Sequence, residues 1–524
     1  MTDSMLRVLL GRSSRTFPQT VATLETGRGT PGSVWSAHID IRNHYLWAAG
    51  SVALLGIGLI PLPDAVAWTA LLAGSCMACG VTVAGAAARG RIDLLELGVL
   101  TAITYLLLFP VRALVVLFNL DAFVNVGVTS APVDVRQYAL AIASFGFVGA
   151  GLAYNSRLVA RGAARIRLPS AALLDRPPVW LPPLVFGFGF AATTAGVAIN
   201  HTGSTVLAGN GALSSAISAC SVYMVAGLCL LTRRATVAAR WARVGLAICV
   251  AAVLSLSAVG QFKEPAVVAI LTVLAAWRYS RGYIRPGRLL LPALIIVVLV
   301  FPIVQASRLA SDRLATRNPV SVLAALPDQL WHYSLRGGAP RTFRPWTPLT
   351  EPLVSLSGRL YGFDTMVLSV WYTPTVVPYQ DGRTLTLVAA GLVPRVLWPG
   401  KPPVGLGVWW TRNYWNTPLG AGLVPQAIGH PANLWIDFGP AGVVIGLTVL
   451  GALYRFLVVA TRPDGHALGL ITYAVVLVTI GDVDRDLPFA YVSLGQRLVV
   501  LTAPLALWWV GARCLRRVRH WTAG

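Results

Sequence analysis

Hydrophobic residues recur along the chain in long blocks that are separated by short polar or charged segments. Many of these blocks approach the ~20 apolar residues that an α-helix needs to cross a bilayer. The pattern therefore predicts an all-α polytopic membrane protein with about twelve transmembrane helices. The predicted spans lie near residues 45–62, 64–87, 95–117, 137–158, 180–200, 211–232, 242–260, 264–278, 288–306, 433–454, 467–481 and 488–512.

The overall composition agrees with this class. Of the 524 residues, 56% are hydrophobic and only 12% are charged, and the mean hydropathy is +0.67. A soluble protein carries about 25% charged residues. This composition excludes a soluble enzyme, a disordered regulator and a nucleic-acid-binding protein.

The distribution of charge predicts the orientation of the chain in the membrane. The formal net charge is +22. With the N-terminus in the cytoplasm, the cytoplasmic segments carry 26 of the 42 basic residues but only six of the 20 acidic residues. Because positively charged loops stay on the cytoplasmic side, both termini are predicted to be cytoplasmic.

The spans are distributed asymmetrically around one long polar segment. Nine precede it and three follow it, and in the predicted topology the segment is extracytoplasmic. It carries eleven basic and five acidic residues, and cations held on this side suggest an anionic partner. Its apolar stretches, 360–377 and 385–398, are expected to be re-entrant or interfacial. The predicted organisation is a cytoplasmic segment 1–44, spans one to nine in 45–306, the large loop 307–432, spans ten to twelve in 433–512 and a basic tail 513–524.

One cluster that could bind phosphate lies in the large loop, between Val393 and Pro403. Its prolines fix the backbone, and Arg395 and Lys401 lie six residues apart. An arginine can bind a phosphate through two parallel hydrogen bonds, and a lysine supplies a point charge. The alternative is an extended surface loop in which both side chains point into solvent.

A second cluster begins the tenth span. His430 stands just before the predicted helix and could act as a general base near neutral pH. Asn433 could cap the helix, and Asp437 follows one turn later on the same face. Burial of the Asp437 carboxylate near the membrane surface is unfavourable unless it is paired, so we expect a binding partner or a catalytic function for it. The alternative is an ordinary helix cap with an interfacial histidine.

Further candidates are charged residues near the outer ends of spans or in the loop. Lys263 lies beside Glu264 in a tight outer turn, where the two charges could simply neutralise each other. Arg497 lies inside the twelfth span, so its side chain should face the protein interior and have a partner. The remaining candidates of this kind are Arg308, Arg359 and Asp364.

The segment from Asp482 to Asp486 carries three aspartates at alternate positions. Carboxylate oxygens at this spacing could hold a divalent metal at the outer surface. Arg485 supplies a countercharge, and the alternative is a polar hairpin between two spans.

The chain resembles the O-antigen polymerase or oligosaccharide-repeat-unit polymerase family, which is related to the O-antigen ligases. The similarity rests on about a dozen spans with one large outer loop before the last few, and on two motifs. One is the Pro-Arg…Trp-Pro…Lys-Pro pattern between Pro394 and Pro403. The other is the His…Asn…Gly-x-x-Gly pattern of His430, Asn433, Gly439 and Gly442.

This resemblance implies a GT-C-like, metal-independent glycosyltransferase without a cofactor, on the outer face of the bacterial cytoplasmic membrane. Such an enzyme polymerises repeat units linked to a polyprenyl pyrophosphate, with lipid-linked glycans as donor and acceptor, in cell-surface polysaccharide biosynthesis. The implied partners are membrane lipids, and a chain-length regulator or a flippase could also bind. No nucleic acid is expected. Polymerase and ligase differ mainly in the acceptor, and the sequence leaves that choice open.

The implied roles divide the candidates into two groups. His430 would deprotonate the acceptor hydroxyl, oriented by Asp437 or Asp364. Cations would hold the pyrophosphate lipids and stabilise the departing charge, with Lys263 contacting the second carrier. The substrate-binding candidates are Lys263, Arg308, Arg359, Arg395, Lys401 and Arg497.

Two alternatives remain open. A GT-C transferase that uses a polyprenyl-monophosphate sugar would add single residues and could need a metal at Asp482, Asp484 and Asp486. A transporter of lipid-linked sugars would need polar or ionisable residues deep in several spans, whereas most of the predicted spans are free of charge away from their ends.

Overall fold

In the computed structural model, every regular element among the described residues is helical. These residues belong to the unit that runs from Asn43 to Gly524. The described residues are 93–117, 126–166, 168, 172–202, 211–237, 240–260, 262–282, 284, 287–300, 360–393, 397–398, 400–415, 426–481 and 483–522, with isolated positions between 303 and 328.

The helices follow the apolar blocks of the sequence closely. Those before the large loop are α1 Leu97–Leu106, α2 Arg112–Leu117, α3 Val126–Ser130, α4 Val133–Tyr154, α5 Arg157–Ala164, α6 Ala172–Asp175, α7 Leu181–Thr202, α8 Gly211–Cys220, α9 Val222–Val237, α10 Arg240–Gly260, α11 Glu264–Arg281 and α12 Gly287–Leu294. Those in and after the loop are α13 Gly362–Tyr372, α14 Arg383–Leu392, α15 Gly407–Tyr414, α16 His430–Thr461, α17 Ala467–Ile480 and α18 Leu487–Thr522. Short π-helical turns, Leu107–Val111 and Ile295–Val300, join α1 to α2 and extend α12.

Six of the described helical stretches are long and apolar enough to cross a membrane, which agrees with the predicted all-α membrane class. The predicted first two spans, 45–62 and 64–87, lie outside the described residues, and the total of twelve stays a prediction, as does the GT-C-like fold. The six stretches are Leu97–Val116, Val133–Tyr154, Leu181–Ile199, Ala216–Thr236, Arg240–Gly260 and His430–Thr461.

The core is built where the large loop meets the membrane helices. Helix α13, which covers much of the stretch 360–377, is buried at every residue from Gly362 to Ser369. Its Phe363 joins Phe109 of the π-turn, Trp410 of α15 and Trp435 of α16 in one apolar cluster. This part of the loop is therefore integrated with the helix bundle instead of lying on its surface.

Helix α16 reverses direction at Gly439. This residue has φ 64° and ψ −150°, a conformation open almost only to glycine, and Pro440 follows without a donor N–H. His430 and Tyr454 are 24 residues apart, and a continuous helix would separate them by about 36 Å, yet His430 Nδ1 lies 3.4 Å from the Tyr454 hydroxyl. Residues 430–438 (the short arm) therefore fold back along residues 440–461 (the long arm).

The reversal differs from the continuous span expected over 433–454. The stretch His430–Thr461 passes as one apolar helix by hydropathy, so a window of hydropathy does not detect the turn. The consequence is that His430 is placed beside the long arm, well away from the start of the transmembrane segment.

Candidate functional site

The start of the short arm is hydrogen-bonded to the segment that joins α17 to α18, residues 481–486. The N–H of Gly429 donates to the carbonyl of Asp484 at 2.9 Å, and the N–H of His430 donates to the carbonyl of Val483 at 3.0 Å. The first N–H groups of a helix have no partner within the helix. These two bonds satisfy them and fix the position of His430 relative to the segment.

The same segment holds the beginning of α15. One carboxylate oxygen of Asp486 accepts a hydrogen bond from the N–H of Leu406 at 2.8 Å. Burial raises the pKa of Asp486 above its ordinary value, and the bond from Leu406 opposes that rise. Asp482, which belongs to the same proposed metal motif, lies outside the described residues.

A cavity of about 310 Å³ opens beside this segment, between α7, α8, α9, α11, α17 and α18. Its wall is mostly apolar and includes Val197, Met224, Val268, Val475 and Phe489. Four charged or amide side chains share one part of the lining, and they are Glu264, Arg485, Gln496 and Arg497.

The charged groups in the cavity form a connected set. Arg485 Nη2 lies 2.9 Å from Glu264 Oε1, and Arg497 Nη1 donates to the Thr479 hydroxyl at 2.9 Å. The carboxylate of Glu264 attracts Arg497, and the guanidinium of Arg485 repels it. Two arginines and one glutamate give this part of the cavity a formal charge of +1.

Three regions that the sequence analysis treated as separate candidates all contribute to the lining of the cavity. These are the turn before α11, the segment 481–486 and the polar pair in the twelfth span. Arg497 has the interior partner that an intramembrane arginine requires. Glu264 pairs with Arg485 at 2.9 Å. Lys263 itself precedes α11, and its carbonyl accepts the N–H of Val267 at 3.1 Å.

His430 is almost fully buried, with 1% of its surface exposed. Its Nδ1 lies 3.4 Å from the Tyr454 hydroxyl, and its Nε2 has no hydrogen-bond partner among the described residues. The ring borders a second cavity of about 20 Å³, which Tyr105 and Tyr154 also line. That volume is enough for one water molecule.

Asp437 lies two turns after His430 on the short arm and anchors α14. Its carboxylate accepts the N–H of Thr384 at 3.3 Å and the hydroxyl of the same residue. The Asn433 side chain donates to the Thr384 hydroxyl at 2.7 Å and accepts the N–H of Leu487 at 3.2 Å. A negative charge at the first turn of α14 is also favoured by the helix dipole.

Two other sequence candidates have defined structural partners. Asp364 forms a two-point ion pair with Arg112, at 3.0 Å and 2.7 Å. Lys401 is 6% exposed, and its Nζ donates to the carbonyls of Gly391 and Val393 at the end of α14. Three predicted substrate-binding residues, Arg308, Arg359 and Arg395, lie outside the described residues.

Sequence reasoning missed several ionisable residues inside predicted membrane helices. Arg112 and Arg455 are fully or almost fully buried, and Glu96 accepts a hydrogen bond from the Tyr154 hydroxyl at 2.5 Å. The sequence contained a signal that could have identified them, because an ionisable residue within a span needs a polar partner in the protein interior.

Comparison of the chain with known protein families, with curated proteins and with solved structures finds no match. The resemblance to the O-antigen polymerases therefore stays a prediction. The chemistry of the site has to be argued from its own geometry.

Proposed function

We propose that the protein is a membrane glycosyltransferase that polymerises polyprenyl-pyrophosphate-linked oligosaccharide repeat units on the outer face of the bacterial cytoplasmic membrane. The observation that supports this most is the cavity that combines Arg485 and Arg497 with apolar side chains such as Val197, Met224 and Phe489. Such a lining suits an amphiphile with an anionic head and a hydrocarbon tail.

The two guanidinium groups suit a diphosphate in particular. A guanidinium donates parallel hydrogen bonds to phosphate oxygens and keeps its charge at any physiological pH. In a partly desolvated cavity such charges would also stabilise the charge that develops on a departing pyrophosphate. Arginines are costly within a membrane protein, which favours a functional reason for two of them in one cavity.

The location in the chain supports an extracytoplasmic reaction. The cavity lies at the beginning of α11, the end of α17 and the beginning of α18. In the topology predicted from the positive charges, all three of these helix ends face the outer side. Lipid-linked repeat units that have crossed the membrane would reach the cavity from there.

The proposed reaction joins two lipid-linked glycans. The hydroxyl oxygen of the acceptor attacks the anomeric carbon of the donor sugar, and the bond from that carbon to the pyrophosphate oxygen breaks. The polyprenyl pyrophosphate departs with the electron pair, and a base takes the proton of the hydroxyl. His430 is the candidate base that the sequence offers, and its Nε2 has no hydrogen-bond partner among the described residues. It does not line the large cavity, but its backbone is bonded to Val483 in the segment that also supplies Arg485 to the cavity wall.

The experiment that tests this function uses the purified full-length protein in lipid nanodiscs with a polyprenyl-pyrophosphate-linked repeat unit and no added metal. We expect a product ladder spaced by whole repeat units, which Arg485→Gln and Arg497→Gln abolish. Arg233→Gln is the matched control, because Arg233 pairs with Asp175 at 3.3 Å on the predicted cytoplasmic side. A ladder that both cavity variants leave unchanged would refute the proposed site.

Transport of a lipid-linked sugar is the second candidate, and one observation favours it. Buried ionisable groups lie within two of the described membrane-crossing stretches, at Arg112 and Arg455, and Glu96 lies at the start of the first of them. A transporter reconstituted in sealed lipid vesicles would move the lipid across the bilayer without making any product. Extension by single sugars from a monophosphate donor, abolished by EDTA, would instead support the metal-dependent transferase.

A further inference from the structure

The two arginines of the cavity differ in what they contact. Arg485 is paired with the carboxylate of Glu264, whereas the Arg497 guanidinium donates to the neutral hydroxyl of Thr479. Half of the Glu264 side chain is exposed, and 19% of the Arg485 side chain is exposed. An anion that enters the cavity therefore meets one arginine held by a neutral group and one already neutralised by an accessible carboxylate.

We propose that Glu264 is a displaceable counter-ion that competes with the pyrophosphate of the lipid substrate for Arg485 and so promotes release of the spent polyprenyl pyrophosphate. This inference rests on the proposed function of the cavity. It assigns a role in product release to a residue that neither contacts the reacting sugar nor moves a proton.

The position of Glu264 lowers the free energy needed to separate its carboxylate from Arg485. It is the first residue of α11, an 18-residue helix, and its carboxylate lies in the first turn. The positive end of a helix dipole stabilises a carboxylate there whether or not it is paired with Arg485. The ion pair is accessible on the Glu264 side, where the entering phosphate can replace the carboxylate as the partner of Arg485.

The chemistry of the reaction makes such a competitor useful. The donor is a pyrophosphate esterified at both ends, and the product is esterified only by the lipid. The product therefore has an additional ionisable oxygen and binds two arginines more tightly than the donor does. Without a competing carboxylate, the spent carrier would occupy the cavity and inhibit the next transfer.

The test measures the binding of farnesyl pyrophosphate to the purified protein in nanodiscs by calorimetry. We expect Glu264→Gln to bind this probe about fivefold more tightly, the upper size of one exposed ion pair. Arg485→Gln should bind it more weakly. In the Arg485→Gln background, Glu264→Gln should have a smaller further effect, because Glu264 then acts only through its attraction to Arg497.

Asp175→Asn is the matched control, since Asp175 also forms a partly exposed pair with an arginine, far along the chain from the cavity. We expect its affinity for the probe to equal that of the wild type. Glu264→Asp provides a second variant if Glu264→Gln does not fold, and its shorter side chain should give an intermediate gain in affinity.

The outcomes separate this inference from the proposed function. Unchanged or weaker binding by both Glu264 variants, with normal binding by the wild type, would overturn the role of Glu264 and leave the cavity proposal standing. Failure of the wild type to bind the probe would overturn both. Tighter binding by Glu264→Gln in a protein that makes no polymer would support the counter-ion and refute the polymerase.

Discussion

Arg112 and Asp364 form a fully buried ion pair with two hydrogen bonds, Nε to Oδ1 at 3.0 Å and Nη2 to Oδ2 at 2.7 Å. Their side chains are 0% and 1% exposed, and they are 252 residues apart in the chain. The pair connects α2 to α13 and so fixes the large loop to the helix bundle. Asp364 was a candidate to orient His430, and its place beside Arg112 favours a structural role instead.

The first prediction concerns this pair. Asp364→Ala should destabilise the protein by about 3–5 kcal/mol, because it removes the carboxylate that forms a two-point ion pair with the buried Arg112 guanidinium. Thermal unfolding of the full chain in detergent measures the loss. The double variant Arg112→Met/Asp364→Leu should recover much of the stability, and equal melting temperatures for Asp364→Ala and the wild type would refute the prediction.

The second prediction tests whether Lys401 stabilises the fold or binds the substrate. Its Nζ donates to the carbonyls of Gly391 and Val393 at the end of α14, and the Gly391 carbonyl also accepts a hydrogen bond from the Gln496 side chain at 3.2 Å. Lys401→Met should therefore cost about 1.5–3 kcal/mol, the value of a charged hydrogen bond. Binding of farnesyl pyrophosphate should persist in the folded fraction. A large loss of binding with unchanged stability would restore Lys401 as a substrate ligand.

The third prediction tests the anchor of α14. Thr384 donates to Asp437 through both its N–H and its hydroxyl, and it accepts a bond from Asn433. Thr384→Val keeps the shape and the backbone N–H but removes the hydroxyl that joins Asp437 to Asn433, so we expect a loss of about 1–3 kcal/mol. Thr386→Val is the control, because the Thr386 hydroxyl is exposed and donates only to a nearby carbonyl. Similar unfolding curves for the two variants would show that the anchor does not matter.

The sequence predicts where the helices lie, because membrane-spanning helices need long apolar blocks and these are visible in a single chain. Hydropathy alone does not reveal the reversal at Gly439, since the stretch on both sides of it passes as one apolar helix, and only the Gly439-Pro440 dipeptide is typical of a turn. The sequence also does not reveal the pairs Arg112 with Asp364 and Glu264 with Arg485, since their partners are brought together only by the tertiary fold. Only the requirement that an intramembrane charge has a partner could be stated in advance, and it was met at Arg497.

The fourth prediction uses the raised pKa of Asp486. Burial raises this pKa above its unfolded value, so the folded state holds the proton more tightly and loses stability as the pH rises through the folded pKa. Asp486→Asn removes this loss and keeps an oxygen for the N–H of Leu406. The variant should therefore be more stable than the wild type at pH 8, and the difference should shrink towards pH 4. Unfolding of both proteins measured between pH 4 and pH 8 checks this. A difference in stability that stays the same at every pH would contradict the prediction.

The last prediction concerns the reversal of α16. Gly439→Ala should cost about 1–3 kcal/mol, because its φ of 64° with ψ of −150° is strained for any residue with a Cβ. The added Cβ would also lie 2.9 Å from the hydroxyl of Tyr379. The double variant with Tyr379→Phe removes that contact and leaves the backbone strain, so it should recover only part of the loss.

The matched control for this change is Gly162→Ala in α5, where a Cβ meets no atom within 4 Å and the backbone is helical. Alanine favours a helix over glycine, so this control should leave stability unchanged or raise it slightly. Equal melting temperatures for the two alanine variants would contradict a fixed reversal at Gly439. A loss confined to Gly439→Ala, together with reduced chain growth, would mean that the position of His430 beside the long arm is required for activity.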